Sequence, residues 1–185
     1  NTKFKDLKII KIESFKDKRG ELFFGVLSHK FKSKFVYDYT SISKKNVFRG
    51  FHYQSKKKQA KIITVLKGSI IDCVIDLRKA SKTYKKNFKI LLSKKNKKSL
   101  YIPPGFAHWY YVRENNTIVN CKQTKYYSAK YEKGILWNDR SLKLNWKFKK
   151  PILSSKDRKQ PKFYSWSMSS LNTGHDKNFV FFVNQ

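Results

Sequence analysis

Apolar and polar positions along this chain alternate in short runs and never settle into the 3.6-residue repeat of an amphipathic helix. The runs are rich in β-branched and aromatic residues and are separated by Gly, Asn, Ser and Lys, the pattern of strands joined by turns. Ten strands are predicted: Leu7–Glu13, Leu22–Ser28, Lys34–Ile42, Val47–Tyr53, Ala60–Leu66, Ser69–Leu77, Asn87–Leu92, Leu100–Ile102, His108–Val112 and Thr117–Thr124. A strand about every ten residues suits an all-β sandwich or barrel such as a jelly roll. Lys67-Gly68 reads as a tight hairpin turn, because glycine supplies the positive φ such turns need. In the strand after it, Ile71, Cys73, Ile75 and Leu77 share one face, and Ile70, Asp72, Val74 and Asp76 the other. Two acids on a half-apolar face predict a polar cavity there.

From Pro151 onward the alternation loosens. Residues 164–185 form a polar stretch ending in the apolar run Phe179 to Val183, read as an appended edge strand or partner contact beyond a domain of residues 1–163. With 185 residues, 39% of them hydrophobic, the chain can bury the core of one domain. It has no apolar run of about 18 residues, and its first residues, NTKFKDLKIIKIES, lack the apolar block of a secretory signal, so no membrane and a cytoplasmic location are expected. Cys73 and Cys121 form neither a zinc pattern nor a disulfide framework and are expected as reduced thiols.

Charge complicates the picture: 43 Lys plus Arg against 12 Asp plus Glu give a formal net charge of +31. Such an excess brings nucleic acid to mind. The lysines are nevertheless scattered in short groups where turns are predicted, such as Lys56-Lys57-Lys58 and Lys94-Lys95, so solvated surface is the plainer reading and nucleic acid is not the expected partner. A positive field that attracts a phosphorylated small molecule is the third reading.

Two of the four histidines lie in apolar strand contexts, His52 in Arg-Gly-Phe-His-Tyr-Gln and His108 after Pro-Pro-Gly-Phe-Ala. Each could be a hydrogen-bonded core histidine. The turn before His108 is also similar to the second motif of metal-binding cupins, but such metals need about three histidines and a carboxylate, and two residues beyond His52 stands Gln54. No metal is expected.

Seven segments, in order, carry a more specific signal: Asp17-Lys18-Arg19-Gly20, Val47 to Gln54, Lys61-Ile62, Asp76-Leu77-Arg78, Ile102 to His108, Gly134 to Asp139, and Leu153 to Asp157. Together they resemble the dTDP-4-dehydrorhamnose 3,5-epimerases, from about Ile9 to Pro161. The resemblance implies a dimeric cupin-type jelly roll that needs no cofactor and acts on a nucleotide-diphospho sugar bearing a 4-keto group, in bacterial surface-polysaccharide synthesis. A proton beside that carbonyl is acidified, and a base of near-neutral pKa can remove it if the enolate is stabilised. By resemblance His52 is the base, Asp157 orients it and Lys61 holds the oxyanion. Arg49 and Arg19 are candidates for the diphosphate, where forked guanidinium groups bind well. His108, Glu132 and Lys156 fall at ligand-contacting positions. Arg49 and His52, three apart, would face opposite ways in a regular strand, so Gly50 is predicted to host a bulge that re-aims one of them.

The chain departs from the family's pattern at several of these places. Cys121 precedes Lys122-Gln123-Thr124-Lys125-Tyr126-Tyr127, where the family has its tyrosine acid. A cysteine can donate a proton but is too short to reach the same carbon. Reprotonation then falls to Cys121 itself, Tyr110, Tyr126 or an ordered water; the other outcomes are inversion at one carbon only, or sugar binding without turnover. Trp109 replaces a glycine, Tyr37 and Tyr39 replace polar amides, and Phe24 stands where an acidic contact is expected. These three residues, Trp109, Tyr37 and Tyr39, predict a more aromatic, substrate-contacting pocket. Beside an active epimerase stand a related nucleotide-sugar isomerase and a sugar-nucleotide binding protein.

Overall fold

The computed structural model of the chain describes residues 2–25, 31, 33–145, 148 and 150–163. They form twelve strands: β1 (Lys8–Lys11), β2 (Ser14–Asp17), β3 (Gly20–Phe23), β4 (Tyr37–Ser43), β5 (Phe48–Gln54), β6 (Lys61–Lys67), β7 (Ser69–Asp76), β8 (Asn87–Ser93), β9 (Lys98–Ile102), β10 (Phe106–Val112), β11 (Thr117–Gln123) and β12 (Glu132–Gly134). One α-helix, the single turn α1 (Ser155–Arg158), lies wholly within the described residues. Two antiparallel five-stranded sheets, ordered β1-β9-β6-β11-β4 and β12-β5-β10-β7-β8, face one another, with β2 and β3 as a separate hairpin. This is a cupin-type jelly roll. No helix among the described residues is long and apolar enough to cross a membrane.

Side-chain alternation explains the layering. Ile63 and Val65 of β6, Leu100 and Ile102 of β9, and Val119 and Cys121 of β11 meet Ile70 and Val74 of β7, Leu92 of β8 and Phe106, Tyr110 and Val112 of β10 between the sheets. Burying each aliphatic side chain contributes about 1.5–3 kcal/mol. The opposite face of the second sheet is also covered: Phe51, Cys73, Ile75, Ala107 and Trp109 pack under Ile135, Leu142, Leu144 and Phe163 of the returning chain. Because β7 is covered on both faces it reads as a nearly continuous apolar run.

All ten predicted strands overlap observed ones. Val26 to Ser28, at the end of the second prediction, and the Phe179–Val183 run lie outside the described residues. Strands β2 and β12 were not predicted: with four and three residues, and one apolar side chain between them apart from Gly134, they carry no alternation to detect. The Lys67-Gly68 hairpin is overturned. β6 pairs with β9 and β11, β7 with β10 and β8, so Gly68 turns the chain from one sheet to the other. Its positive φ of 78° is as expected, and a Cβ there would lie 2.3 Å from Thr117 Oγ1.

The predicted bulge lies where it was expected. His108 pairs with His52 and Tyr110 with Arg49, so two residues of β5, Gly50 and Phe51, stand opposite Trp109 alone. A Cβ on Gly50, whose φ is 119°, would fall 2.5 Å from the His108 carbonyl oxygen. The extra residue turns Arg49 and His52 toward the same cavity. Only glycine allows so close an approach of the two backbones.

Candidate active site

Two adjoining cavities, of about 290 and about 520 Å³, open on the barrel. The smaller is lined by Tyr37, Gln59, Gln123, Tyr127 and Glu132 among others, the larger by Arg49, His108, Tyr110, Leu153 and Asp157 among others. His52, Lys61 and Tyr39 line both and mark the place where they meet.

His52 comes from β5, and its Nε2 lies 2.7 Å from Oδ1 of the buried Asp157. Asp157 arrives on α1, whose N-cap is Ser154: the Asp157 N–H donates to Ser154 Oγ at 3.1 Å, and Ser154 Oγ–H donates to Asp157 Oδ2 at 2.9 Å. The Ser-x-x-Asp spacing is that of a helix cap and was available in the sequence as a reason for the carboxylate to be fixed. With Nε2 held by Asp157, Nδ1 is the free nitrogen; Glu132 Oε1 stands 3.8 Å from it. Glu132 Oε2 pairs with Lys156 and accepts from the Tyr127 hydroxyl at 2.9 Å. Burial works to raise the Glu132 carboxyl, but Lys156, His52 and Tyr127 outweigh it and hold it below its ordinary value.

Lys61, from β6, is buried and makes no ion pair or hydrogen bond among the described residues. Burial pulls its ammonium below the ordinary lysine value, against the opposing pull of Cys121, Glu132 and Asp72. Behind it, His108 Nε2 lies 2.9 Å from Asp72 Oδ2, both residues being buried. Burial pushes the imidazole down and the carboxyl up, so each leans toward its neutral form. Of the two acids predicted to line a polar cavity, Asp72 therefore serves as partner to His108. Asp76 instead closes the end of the barrel, accepting from Arg78, Ser81 and Thr83.

Several predicted site residues stand elsewhere. Trp109 lines neither of these cavities: His108 and Tyr110 take the inward face of β10, and alternation sends Trp109 outward, stacked on Phe48 at 4.9 Å. Arg19 lies on the β2–β3 turn, paired with Asp17 at 2.6 Å and 85% exposed, and lines neither cavity. That hairpin is tied instead to Lys97, through Glu21 and Ser14. Cys121 is buried in the inner core, accepts from Gln123 Nε2 at 3.6 Å and also lines neither cavity. Lys156 reaches the site through Glu132. Gln59, Gln123, Tyr53 and Tyr127 line the smaller cavity without any signal that had singled them out. The lysines at 56–58 and 94–95 are exposed on turns, as the scattered charge implied. No group of three or more His, Cys, Asp or Glu side chains among the described residues could hold a metal ion.

A histidine held by a buried carboxylate, beside a buried ammonium at the junction of two cavities in a jelly roll, defines a class of cupin-type proteins with an enclosed polar site. The model of one family, the dTDP-4-dehydrorhamnose 3,5-epimerases, matches residues 1–165. A relative of that name from Shigella flexneri is 36% identical over 170 residues, covering 88% of this chain and 93% of its own. A Bacillus anthracis dTDP-4-dehydrorhamnose 3,5-epimerase, solved with TDP and PPi bound, superposes with a TM-score of 0.84 at 38% identity, covering 88% of this chain and 97% of its own. A Legionella pneumophila epimerase in complex with dTDP-4-keto-L-rhamnose gives 0.83 at 34%, with 88% and 90% covered. The chain belongs to the dTDP-4-dehydrorhamnose 3,5-epimerase family, a family of isomerases.

Proposed function

We propose that the chain epimerises a nucleotide-diphospho-4-keto-6-deoxy sugar by abstracting a proton alpha to the keto group, and that its product serves surface-polysaccharide synthesis in the cytoplasm. The reading rests on one observation: His52, held by Asp157, and the buried Lys61 ammonium share the junction of two cavities. His52 Nδ1 takes the proton from the carbon beside the carbonyl, and the electron pair moves into the carbonyl to give an enolate oxygen. Asp157 holds the ring in the tautomer with its proton on Nε2 and stabilises the imidazolium, as a buried carboxylate does for a catalytic histidine. Lys61, desolvated and without another partner among the described residues, faces the oxyanion, where a fixed charge in a water-poor site is worth most. Arg49, whose Nε donates to Ser43 Oγ at 3.2 Å, is oriented to bind the diphosphate along the larger cavity.

The active form is a homodimer in this reading. Phe15 and Leu22, cross-strand partners on the β2–β3 hairpin, are 73% and 62% exposed and suit coverage by a second copy. Arg19 lies on the same hairpin.

The deciding experiment is solvent deuterium uptake into a panel of nucleotide-linked 4-keto-6-deoxy sugars, dTDP derivatives first, followed by NMR. Exchange beside the carbonyl with inverted product is expected, and His52→Ala should abolish it while dTDP binding persists. Deuterium at one carbon only would identify a single epimerisation. No exchange across the panel would refute the function, and exchange surviving in His52→Ala would refute the base.

A further inference from the structure

Removing a proton on one face of the sugar inverts nothing until a second group delivers a proton to the other face. That donor has to stand where His52 and Lys61 stand, at the junction of the two cavities. Cys121 lines neither cavity. Tyr110 lines only the larger one, and its hydroxyl is engaged with Ser41 Oγ at 2.8 Å. Tyr126 is 67% exposed and lines neither. The third side chain common to both cavities is Tyr39.

We propose that Tyr39 is the general acid that reprotonates the enolate, its phenol reaching from β4 into the space over Cys121. The inference rests on the epimerase reading above. In the register of β4 and β11, Tyr39 stands directly opposite Cys121, and cross-strand partners hold their Cβ atoms about 4.5–5.5 Å apart. Both side chains lie on the same face of the sheet, with Cys121 buried in the core beneath. The short Cys121 side chain leaves the space above it to the larger ring. Burial pushes the Tyr39 hydroxyl well above the ordinary phenol range, so it holds its proton until a strongly basic carbon is presented. The residue is 42% exposed, which opens a route for solvent protons.

The step balances without a further reagent. The Tyr39 O–H bond breaks and a C–H bond forms as the enolate pair returns to carbon and the carbonyl is restored. Tyr39 is left as phenolate and His52 as imidazolium; loss of the His52 proton to solvent and gain of one by Tyr39 restore both.

The test separates deprotonation from inversion. Wild type, Tyr39→Phe, Cys121→Ala and His52→Ala are incubated with a dTDP-4-keto-6-deoxy sugar in D2O. Tyr39→Phe is expected to lose inverted product by about 100-fold or more, while His52-dependent deuterium exchange with retained configuration persists. That retained exchange also reports a folded site. Inversion by Tyr39→Phe at close to the wild-type rate overturns the proposal, and so does loss of exchange together with inversion, which would put Tyr39 in binding or in the first step. Inversion that survives Tyr39→Phe and disappears in Cys121→Ala assigns the donor to the thiol. Wild type inert across the panel overturns the epimerase reading itself, a result distinct from any of these.

Discussion

Replacing Asp157 by asparagine conserves volume and removes one charge from the side chain that holds His52. In the native site Asp157 Oδ1 is 2.7 Å from His52 Nε2 and Oδ2 accepts from Ser154 Oγ at 2.9 Å, within a nearly closed environment. The imidazolium formed on proton abstraction is stabilised by this carboxylate. Opposite unit charges about 4 Å apart interact by about 4 kcal/mol at an effective dielectric near 20. Part of that is recovered by Glu132, whose Oε1 remains 3.8 Å from the other ring nitrogen. A net loss of about 3 kcal/mol corresponds to roughly 100-fold in rate. The amide can do further harm: if its NH2 group turns to Nε2, the ring proton is forced onto Nδ1 and the base is blocked. The expected fall in exchange rate is therefore about 10²- to 10⁴-fold. Initial rates of deuterium uptake by NMR measure it, with dTDP affinity by calorimetry as a check that the cavity is intact. Exchange within threefold of wild type, with binding unchanged, would refute the reasoning and reduce Asp157 to a cap of α1.

Lys61→Met should lower turnover by about 10²–10³-fold and at the same time raise the melting temperature, by about 2–4 °C for each kcal/mol recovered. Burial depresses this ammonium, so its penalty to folding is full below the depressed value and vanishes as pH rises past that of ordinary lysine; scanning fluorimetry that finds a lower Tm would contradict this. Asp76→Asn should cost about 2 kcal/mol in urea unfolding near neutrality, through the charge-assisted bonds to Arg78. Burial alone would raise this carboxyl, but bonds from Arg78, Ser81 and Thr83 hold it down to about 2. Its stabilisation is thus full above the unfolded value of about 3.9 and lost as pH falls through about 2, and the variant's deficit should shrink over that window. Gly68→Ala should destabilise by about 2–3 kcal/mol, from a Cβ forced to positive φ and against Thr117; a denaturation midpoint equal to wild type would show that the turn relaxes freely.

The strands were legible because a half-buried strand writes its two faces into alternate residues. The bulge at Gly50 was legible too, since Arg49 and His52 could share a cavity only if one extra residue were absorbed. What stayed hidden has physical causes. A turn such as Lys67-Gly68 has the same local chemistry whether its strands pair with each other or part into two sheets; the difference lies in which distant strands accept the hydrogen bonds. Trp109 carries an aromatic signal identical to that of a stacking platform, and only the alternation set by His108 sends it outward. Asp72 and Asp76 occupy one face by parity, yet one finds a histidine and the other an arginine. Such outcomes depend on neighbours far along the chain, which no local pattern encodes.

If Tyr39 is the proton donor, the two departures that the family resemblance implies, Cys121 in place of a tyrosine and Tyr39 in place of a polar amide, become a single change once β4 and β11 are laid side by side. Cross-strand partners project side by side from the same face of the sheet, so a small side chain at one position leaves room for the ring of the other. A phenol delivered from β4 can enter the same cavity as one delivered from β11, because the two strands are paired neighbours in one sheet. In that reading, the extra aromatic character that Tyr39 brings to the pocket reflects relocation of a proton donor. A double variant, Tyr39→Asn with Cys121→Tyr, should accordingly restore inversion that Tyr39→Asn alone has lost. Failure of the double variant to invert while it still exchanges deuterium would show that the two positions are not interchangeable.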